Sequence, residues 1–304
     1  MKLHHIISAR QFATKTLAKL FALTDQIKKG QYPKQALAGK IMASLFYEPS
    51  TRTRLSFESA MIRLGGRVIS TENAGEFSSA AKGETLEDTI RVVEGYADVI
   101  IIRHFRACAS EIAAKFSKVP IINAGDGNGE HPTQALLDIY TIFSKFPDPN
   151  FTITMVGDLS NGRTIHSLGY LLSLYPKIKM VFVSPKALTI PQSLRNHLRQ
   201  KRINFQEVED FKKGILAADV IYQTRIQKER FKSEKEYKKY FGKYILDKNA
   251  LDYIKKSARI MHPLPRVNEI TQDVDSDPRA IYFEQAQNGL FVRMALLLLL
   301  FDKA

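Results

Sequence analysis

Short, almost wholly apolar runs alternate with amphipathic stretches along most of the chain. Ile41 to Tyr47, Asp98 to Arg103, Val119 to Ile122, Phe151 to Val156, Lys179 to Val183 and Asp219 to Tyr222 are β-prone and bounded by turn residues, as strands buried on both faces are. Arg67 to Ser70, Asn204 to Val208 and the run ending at Ile260-Met261 extend the series. Between them apolar residues recur at helical spacing. Phe12, Leu17, Leu20, Phe21 and Ile27 do so within 8–29, closed by Gly30. Phe57, Met61 and Leu64 follow Ser50, with Leu55 and Ile62 beside them, and Leu136, Ile139, Tyr140 and Phe143 follow Pro132. Strands alternating with helices predict an α/β fold of two doubly wound domains with mostly parallel sheets. Phe146-Pro147-Asp148-Pro149 carries two prolines in three residues and sets the expected boundary, with a first domain over 1–146 and a second over 147–284.

Polar residues concentrate in the turns that follow the strands. In Glu48 to Glu58 (E-P-S-T-R-T-R-L-S-F-E), Pro49 breaks the strand and Ser50 is a good helix N-cap. Backbone N–H groups and the positive helix end converge there, beside the hydroxyls of Ser50, Thr51 and Thr53. Arg52 and Arg54 add planar forks that match two phosphate oxygens. The turn reads either as a capped helix with solvated arginines or as a phosphate cradle. Its place at the carboxyl end of a strand, where open α/β sheets hold ligands, favours the cradle. Arg103 and His104 end another strand, and His131 closes a glycine loop, Gly125 to Gly129, ahead of Pro132 and Gln134. In the second half, Gly157 to Thr164 (G-D-L-S-N-G-R-T) and Gln223 to Arg230 (Q-T-R-I-Q-K-E-R) leave strand ends and supply Arg163, Arg225 and Gln227. Two arginines suffice to fork a dicarboxylate. The Gly157 turn is not G-x-G-x-x-G, and no acidic residue closes the following strand, which excludes a dinucleotide reading.

Composition narrows the function classes further. With 44% hydrophobic and 25% charged residues the chain is an ordinary globular protein. Met294 to Phe301 is an apolar run of eight residues, short of the roughly 20 that span a bilayer, so no membrane segment is expected. The single cysteine, Cys108, excludes an internal disulfide and suits a reducing compartment, and Met1 to Arg10 lacks a secretory signal pattern, so a cytoplasmic protein is expected. A formal charge of +14 raises nucleic-acid binding as a distant alternative. Against it, the basic run Lys228 to Lys256 is interleaved with Glu229, Glu234, Glu236, Asp247 and Asp252, and no nucleic-acid motif is present. The histidines lack metal-ligand spacing, so neither a metal nor a cofactor is expected.

The ordered motifs S-T-R-T-R, A-K-G-E-T, H-P-T-Q, G-R-T, T-R-x-Q-K-E-R and H-P-L-P-R resemble those of the aspartate and ornithine carbamoyltransferase family over nearly the whole chain. The resemblance implies a carbamoyl phosphate-binding first domain, completed by a C-terminal helix over 285–304, and a second-substrate domain. It implies that Ser50, Thr51, Arg52, Thr53 and Arg103 bind the phosphate, with Ser78 and Lys82 on a loop reaching a neighbouring subunit's site. Thr53, Arg103 and His131 would donate to the carbonyl oxygen, while Gln134 and the backbone carbonyls of Leu264 and Pro265 orient the carbamoyl NH2. Lys82, Arg163, Arg225 and Gln227 would hold the second substrate. Pro263 stands where the ornithine branch has cysteine, and with T-R-x-Q-K-E-R and the absence of tryptophan it points to the aspartate branch. The implied reaction is carbamoyl transfer from carbamoyl phosphate to the amine of L-aspartate, with ornithine or another amine as the alternative acceptor. The implied assembly is a homotrimer with shared active sites, to which regulatory chains can attach. Phe105-Arg106-Ala107-Cys108 departs from the family, which usually continues with proline and a small polar loop.

Overall fold

The computed structural model describes residues 4–72, 83–127, 129–231 and 233–303. Ser78 and Lys82 lie outside the described residues. Two compact units form, Met1–Leu137 with Gln287–Ala304, and Asp138–Ala286.

The first unit holds a four-stranded parallel sheet of order β2-β1-β3-β4, with β1 Ile41–Phe46, β2 Arg67–Glu72, β3 Val99–His104 and β4 Ile121–Asp126. Its helices are α1 Thr14–Lys28, α2 Thr51–Arg63, α3 Leu86–Val93, α4 Ala109–Phe116 and α5 Pro132–Lys145, the last running past the unit boundary. β1 and β3 occupy the centre and are buried along nearly their whole length, which is why their sequences are continuous apolar runs rather than alternating ones. The chain winds from β1 outward to β2, then from β3 outward to β4 in the opposite direction. The carboxyl ends of β1 and β3 therefore flank the switch point at which open α/β sheets hold ligands.

Two expectations need correction here. The helix expected over 8–29 is broken: Ala9–Gln11 is a single 3-10 turn, and α1 begins only at Thr14. The Gln11 side chain folds back to accept from the N–H groups of Ile7 and Ser8 at 2.7 and 2.9 Å, which closes a capping box on the short turn. Leu55 and Ile62 do not join the buried side of α2 but are 51% and 61% exposed, whereas Phe57 and Met61 are fully buried. Leu55 lies about 200° round the helix from Phe57, and Ile62 falls almost under Leu55 two turns later.

The second unit contains β5 Thr152–Val156, α6 Arg163–Leu172, β6 Lys179–Val183, α7 Gln192–Gln200, β7 Phe205–Val208, α8 Phe211–Ile215, β8 Val220–Gln223, α9 Glu234–Lys238 and β9 Arg259–Met261. Its five strands are parallel in the order β7-β6-β5-β8-β9, so the winding reverses between β5 and β8. Val156, Val183, Ile221, Leu246, Ile260 and Tyr282 share its core.

The last helix, α10 Tyr282–Leu300, starts in the second unit and continues in the first. In the first unit, Lys28 Nζ donates to Asn288 Oδ1 at 2.9 Å, and the guanidinium of the buried Arg293 lies 4.9 Å above the Phe57 ring. A Cβ on Gly289 would come within 3.0 Å of Leu137, so only glycine admits α10 this close. Among the described residues no helix is long and apolar enough to cross a membrane.

Candidate active site

The first half of the site is built where β1 and β3 end. The chain leaves β1 through Tyr47, Glu48 and Pro49 and enters α2 at Ser50, whose backbone is extended and whose hydroxyl makes no capping bond. The first intrahelical bond is Arg54 N to Ser50 O at 3.0 Å, so the N–H groups ahead of it have no acceptor inside the helix. Thr53 is buried, while Thr51 and Arg52 are exposed. The two arginines of the motif have separate fates. Arg54 turns along the helix toward Glu58, 3.9 Å away, and Ser70. Although Arg52 is exposed overall, the atoms crowded round its guanidinium partly desolvate it and push its proton affinity below the usual arginine range, a penalty that an anion docked on the turn would reverse.

Arg103, at the end of β3, is already charge-paired. Its Nη2 lies 3.1 Å from Glu48 Oε2, and its Nη1 donates to the Ala124 carbonyl at 3.2 Å. The neighbouring His104 ring is packed between Tyr47 and Phe105, and its Nδ1 accepts from Arg106 N at 2.9 Å. Burial, followed by the Arg106 charge, pushes its pKa down. His131 is buried immediately before α5, and its carbonyl accepts from Gln134 N and Ala135 N. The loop that delivers it is pinned twice. Asp126 accepts from Ser110 Oγ and Glu130 N, and the Glu130 carboxylate accepts from Ser8 Oγ and Ala9 N. Gly127 has φ +46°, and a Cβ there would meet Ala107 N at 2.7 Å. The unusual Phe105 to Cys108 segment thus packs against the glycine loop, with Cys108 left-handed at φ 61°.

The second half forms where β5 and β8 end. Gly157, at φ +125°, lets the two strand ends close up, since a Cβ would fall 2.4 Å from the Thr224 carbonyl oxygen. Thr224 donates to the Val156 carbonyl through both its N–H and its hydroxyl, each at 2.8 Å. Asp158 is fully buried and accepts from Asn161 N and Nδ2 at 3.0 and 3.1 Å. Burial pushes its pKa up, and hydrogen bonds from Asn161 and from the backbone of Gln227 and Ser160 oppose that shift. Gln227 Nε2 also donates to the Asn161 carbonyl at 3.2 Å. One carboxylate therefore ties the turn that presents Arg163, the first residue of α6, to the segment that presents Arg225. A cleft lined by Arg225, Tyr237, Phe241, Lys243, Asn268 and Glu269 opens beside them. Leu264 and Pro265 follow β9, with Leu264 held at φ 52°.

The fold thus brings Ser50, Thr51, Arg52, Thr53, Arg103, His131 and Gln134 to the carboxyl edge of one sheet. It brings Arg163, Arg225, Gln227, Leu264 and Pro265 to that of the other. Sequence reasoning missed Glu48, the partner of Arg103, and Asp158. An acidic residue shortly before Ser160 and Asn161 in a post-strand turn carries an Asx-turn signal that would have found the second. Among the described residues no group of three or more His, Cys, Asp or Glu side chains is placed to hold a metal ion.

Comparisons with known proteins agree with this architecture. The carbamoyl-P binding domain of the aspartate/ornithine carbamoyltransferase family matches residues 4–144, and its Asp/Orn binding domain matches residues 149–300. The chloroplastic aspartate carbamoyltransferase of Arabidopsis thaliana is 53% identical over 98% of this chain and 78% of its own length. The catalytic subunit of M. jannaschii aspartate transcarbamoylase superimposes with a TM-score of 0.89 at 46% identity, over 99% of this chain and 98% of that one. Aspartate transcarbamoylase from Trypanosoma cruzi, solved in complex with carbamoyl phosphate and aspartate, gives 0.89 at 40% identity, over 97% and 95%. With two sheets of this topology, their switch-point turns and both domain matches in sequence order, this chain belongs to the aspartate/ornithine carbamoyltransferase family.

Proposed function

We propose that this enzyme, an aspartate carbamoyltransferase, moves the carbamoyl group of carbamoyl phosphate to the amine of L-aspartate, giving N-carbamoyl-L-aspartate and phosphate for pyrimidine synthesis. The observation that carries the choice of acceptor is the bracing of the Arg163 turn to the Arg225 segment through Asp158, which readies two guanidinium groups for a dicarboxylate. Ornithine presents one carboxylate and a second cation, and the latter would be repelled there.

Ser50, Thr51, Arg52 and Thr53 bind the phosphate with the first-turn N–H groups of α2, and Arg103 joins them. Thr53, Arg103 and His131 donate toward the carbonyl oxygen as it gains charge under attack by the amine. Gln134 and the carbonyls of Leu264 and Pro265 take the N–H groups of the carbamoyl NH2. Arg163, Arg225 and Gln227 hold the aspartate carboxylates, and the departing phosphate accepts the amine proton. Positioning and electrostatics supply most of the acceleration. The test is a product assay with carbamoyl phosphate, offering L-aspartate and L-ornithine in parallel. Carbamoyl-aspartate alone is expected, and citrulline would overturn the assignment of the second half.

The assembly is a homotrimer in the cytoplasm, in which Ser78 and Lys82 of one subunit serve the site of the next. Exposed Leu55 and Ile62 on α2 and Ile69 on the edge strand β2 favour burial against another copy. Light scattering should return three times the 34.5 kDa chain mass. Mixing Lys82→Ala with Arg52→Ala chains should restore activity that neither has alone. A monomer, or no recovery after confirmed subunit exchange, would refute the shared site.

A further inference from the structure

His262 contributes no group to the reaction as described, yet it is 2% exposed and hydrogen-bonded at three atoms. Its Nδ1 accepts from Leu264 N at 2.7 Å. A backbone N–H can only donate, so Nδ1 carries no proton and the ring proton sits on Nε2. That nitrogen donates to Glu269 Oε1 at 2.8 Å, which fixes the tautomer and the ring plane together. Glu269 is buried and accepts further from Val267 N and Asn268 N. Burial pushes its carboxyl up, but the hydrogen bonds from His262 and from the Val267 backbone oppose that, and the net shift is downward. The backbone of His262 is anchored as well: its N–H donates to Gln285 Oε1 at 2.9 Å, and Gln285 Nε2 donates to Asp138 Oδ1 at 2.6 Å. Tyr222 Oη donates to the other oxygen of the same carboxylate at 2.6 Å.

The residue at the end of this chain of bonds is Leu264, whose φ of 52° is a left-handed conformation that L side chains rarely adopt. A leucine stays there only if its surroundings hold it, and the Nδ1 of a ring clamped on both sides is such a hold. Leu264 is also where the direction of its own carbonyl and the approach to that of Pro265 are set.

We infer that His262, clamped by Glu269, is a positioning residue that gives the enzyme its preference for a carbamoyl over an acyl group, by holding Leu264 so that the Leu264 and Pro265 carbonyls stand as paired acceptors for the carbamoyl NH2. The inference rests on the assignment of those two carbonyls in the proposed function. Its chemical content is a selectivity: acetyl phosphate has a methyl group where carbamoyl phosphate has an NH2, so it leaves both carbonyls unsatisfied while binding the phosphate subsite equally.

The experiment measures the affinities of carbamoyl phosphate, acetyl phosphate and inorganic phosphate for the intact assembled enzyme by titration calorimetry. Wild type, His262→Gln and His262→Asn are compared. Asn places an oxygen near the position of Nδ1 and keeps an acceptor for Leu264 N. Gln reaches the position of Nε2, keeps the link to Glu269 and loses the acceptor. Wild type should favour carbamoyl over acetyl phosphate by about tenfold or more, the effect of two acceptors that a bound methyl group covers without pairing. His262→Gln should lose most of that ratio with inorganic phosphate unchanged, and His262→Asn should keep the larger part. A wild-type enzyme that binds both acyl phosphates equally would overturn the assignment of the carbonyls themselves. A selective wild type with an equally selective His262→Gln would overturn the role of His262 alone. Equal weakening toward all three ligands would make His262 merely structural and overturn the inference too. Should His262→Gln fail to fold, collapse of the ratio in His262→Asn overturns the proposal and its retention supports it.

Discussion

The two switch-point turns solve the same problem with opposite means. At the end of β1 the turn into α2 is left open: Ser50 caps nothing, the first N–H groups of the helix have no internal acceptor, and Arg52 is exposed. It is held where it leaves β1, by Tyr47 N donating to the Arg103 carbonyl at 2.8 Å and by the Glu48 carboxylate paired with Arg103. At the end of β5 the turn into α6 is closed on itself by Asp158 and cross-tied to the end of β8 through Asn161, Thr224 and Gln227. Phosphate is compact and multiply charged, so a helix terminus and an exposed guanidinium fork can wrap it. A dicarboxylate has two groups at a fixed separation, and only arginines on braced backbone can measure that distance.

The contrast breaks most visibly at Arg52. Replacing it with alanine should lower kcat by about 10²- to 10³-fold, as loss of one transition-state donor does, with an unchanged melting temperature. A steady-state assay beside a thermal scan checks both halves. Activity near wild type would remove the cradle from the reaction. The next effect concerns bracing. Asp158→Ala strands several donors and should raise the KM for aspartate by about 10- to 100-fold while inorganic phosphate binds as before. Loss of phosphate affinity as well would mean that the two halves are not built independently. A smaller, opposite effect is expected from Glu48→Gln, which frees Arg103 from its competitor. Phosphate should bind about two- to fivefold tighter by calorimetry, the range for a partly exposed ion pair, and weaker binding would show Glu48 to be a support instead.

The smallest effect is on stability. His5, His104 and His166 are all pushed below 6.5, in each case first by burial. The unfolded chain therefore takes up these protons at a higher pH than the folded one. Stability is fully present above about pH 6.5 and is lost as the pH falls below it. Melting temperatures at pH 7.5 and 5.5 should differ in that direction, and His166→Gln should narrow the gap; a higher melting point at pH 5.5 would reverse the sign.

Much of this was legible in the sequence because the signals were local. A parallel strand buried on both faces writes itself as an apolar run, and β1, β3, β5 and β8 lie where such runs stand. The turns that follow them carry glycine, proline and arginine in readable order. What depends on partners far along the chain was not readable. Nothing in E-P-S-T-R-T-R says that Arg52 stays at the turn while Arg54 bends toward Glu58, or that Glu48 meets Arg103, which arrives from another strand. Leu55 and Ile62 stand beside the buried stripe in the sequence pattern, which does not say that they face outward. The break before α1 was missed because its cause is a side chain, Gln11, that caps the backbone behind it.

The path of α10 also bears on how the chain comes into being. Arg293, stacked on Phe57, and Gly289, against Leu137, belong to the core of the first unit but leave the ribosome after every residue of the second. During synthesis the first sheet must wait, with the Phe57 side of α2 uncovered, until the second unit has been made. The order of translation thus makes completion of the first unit depend on the arrival of the last helix.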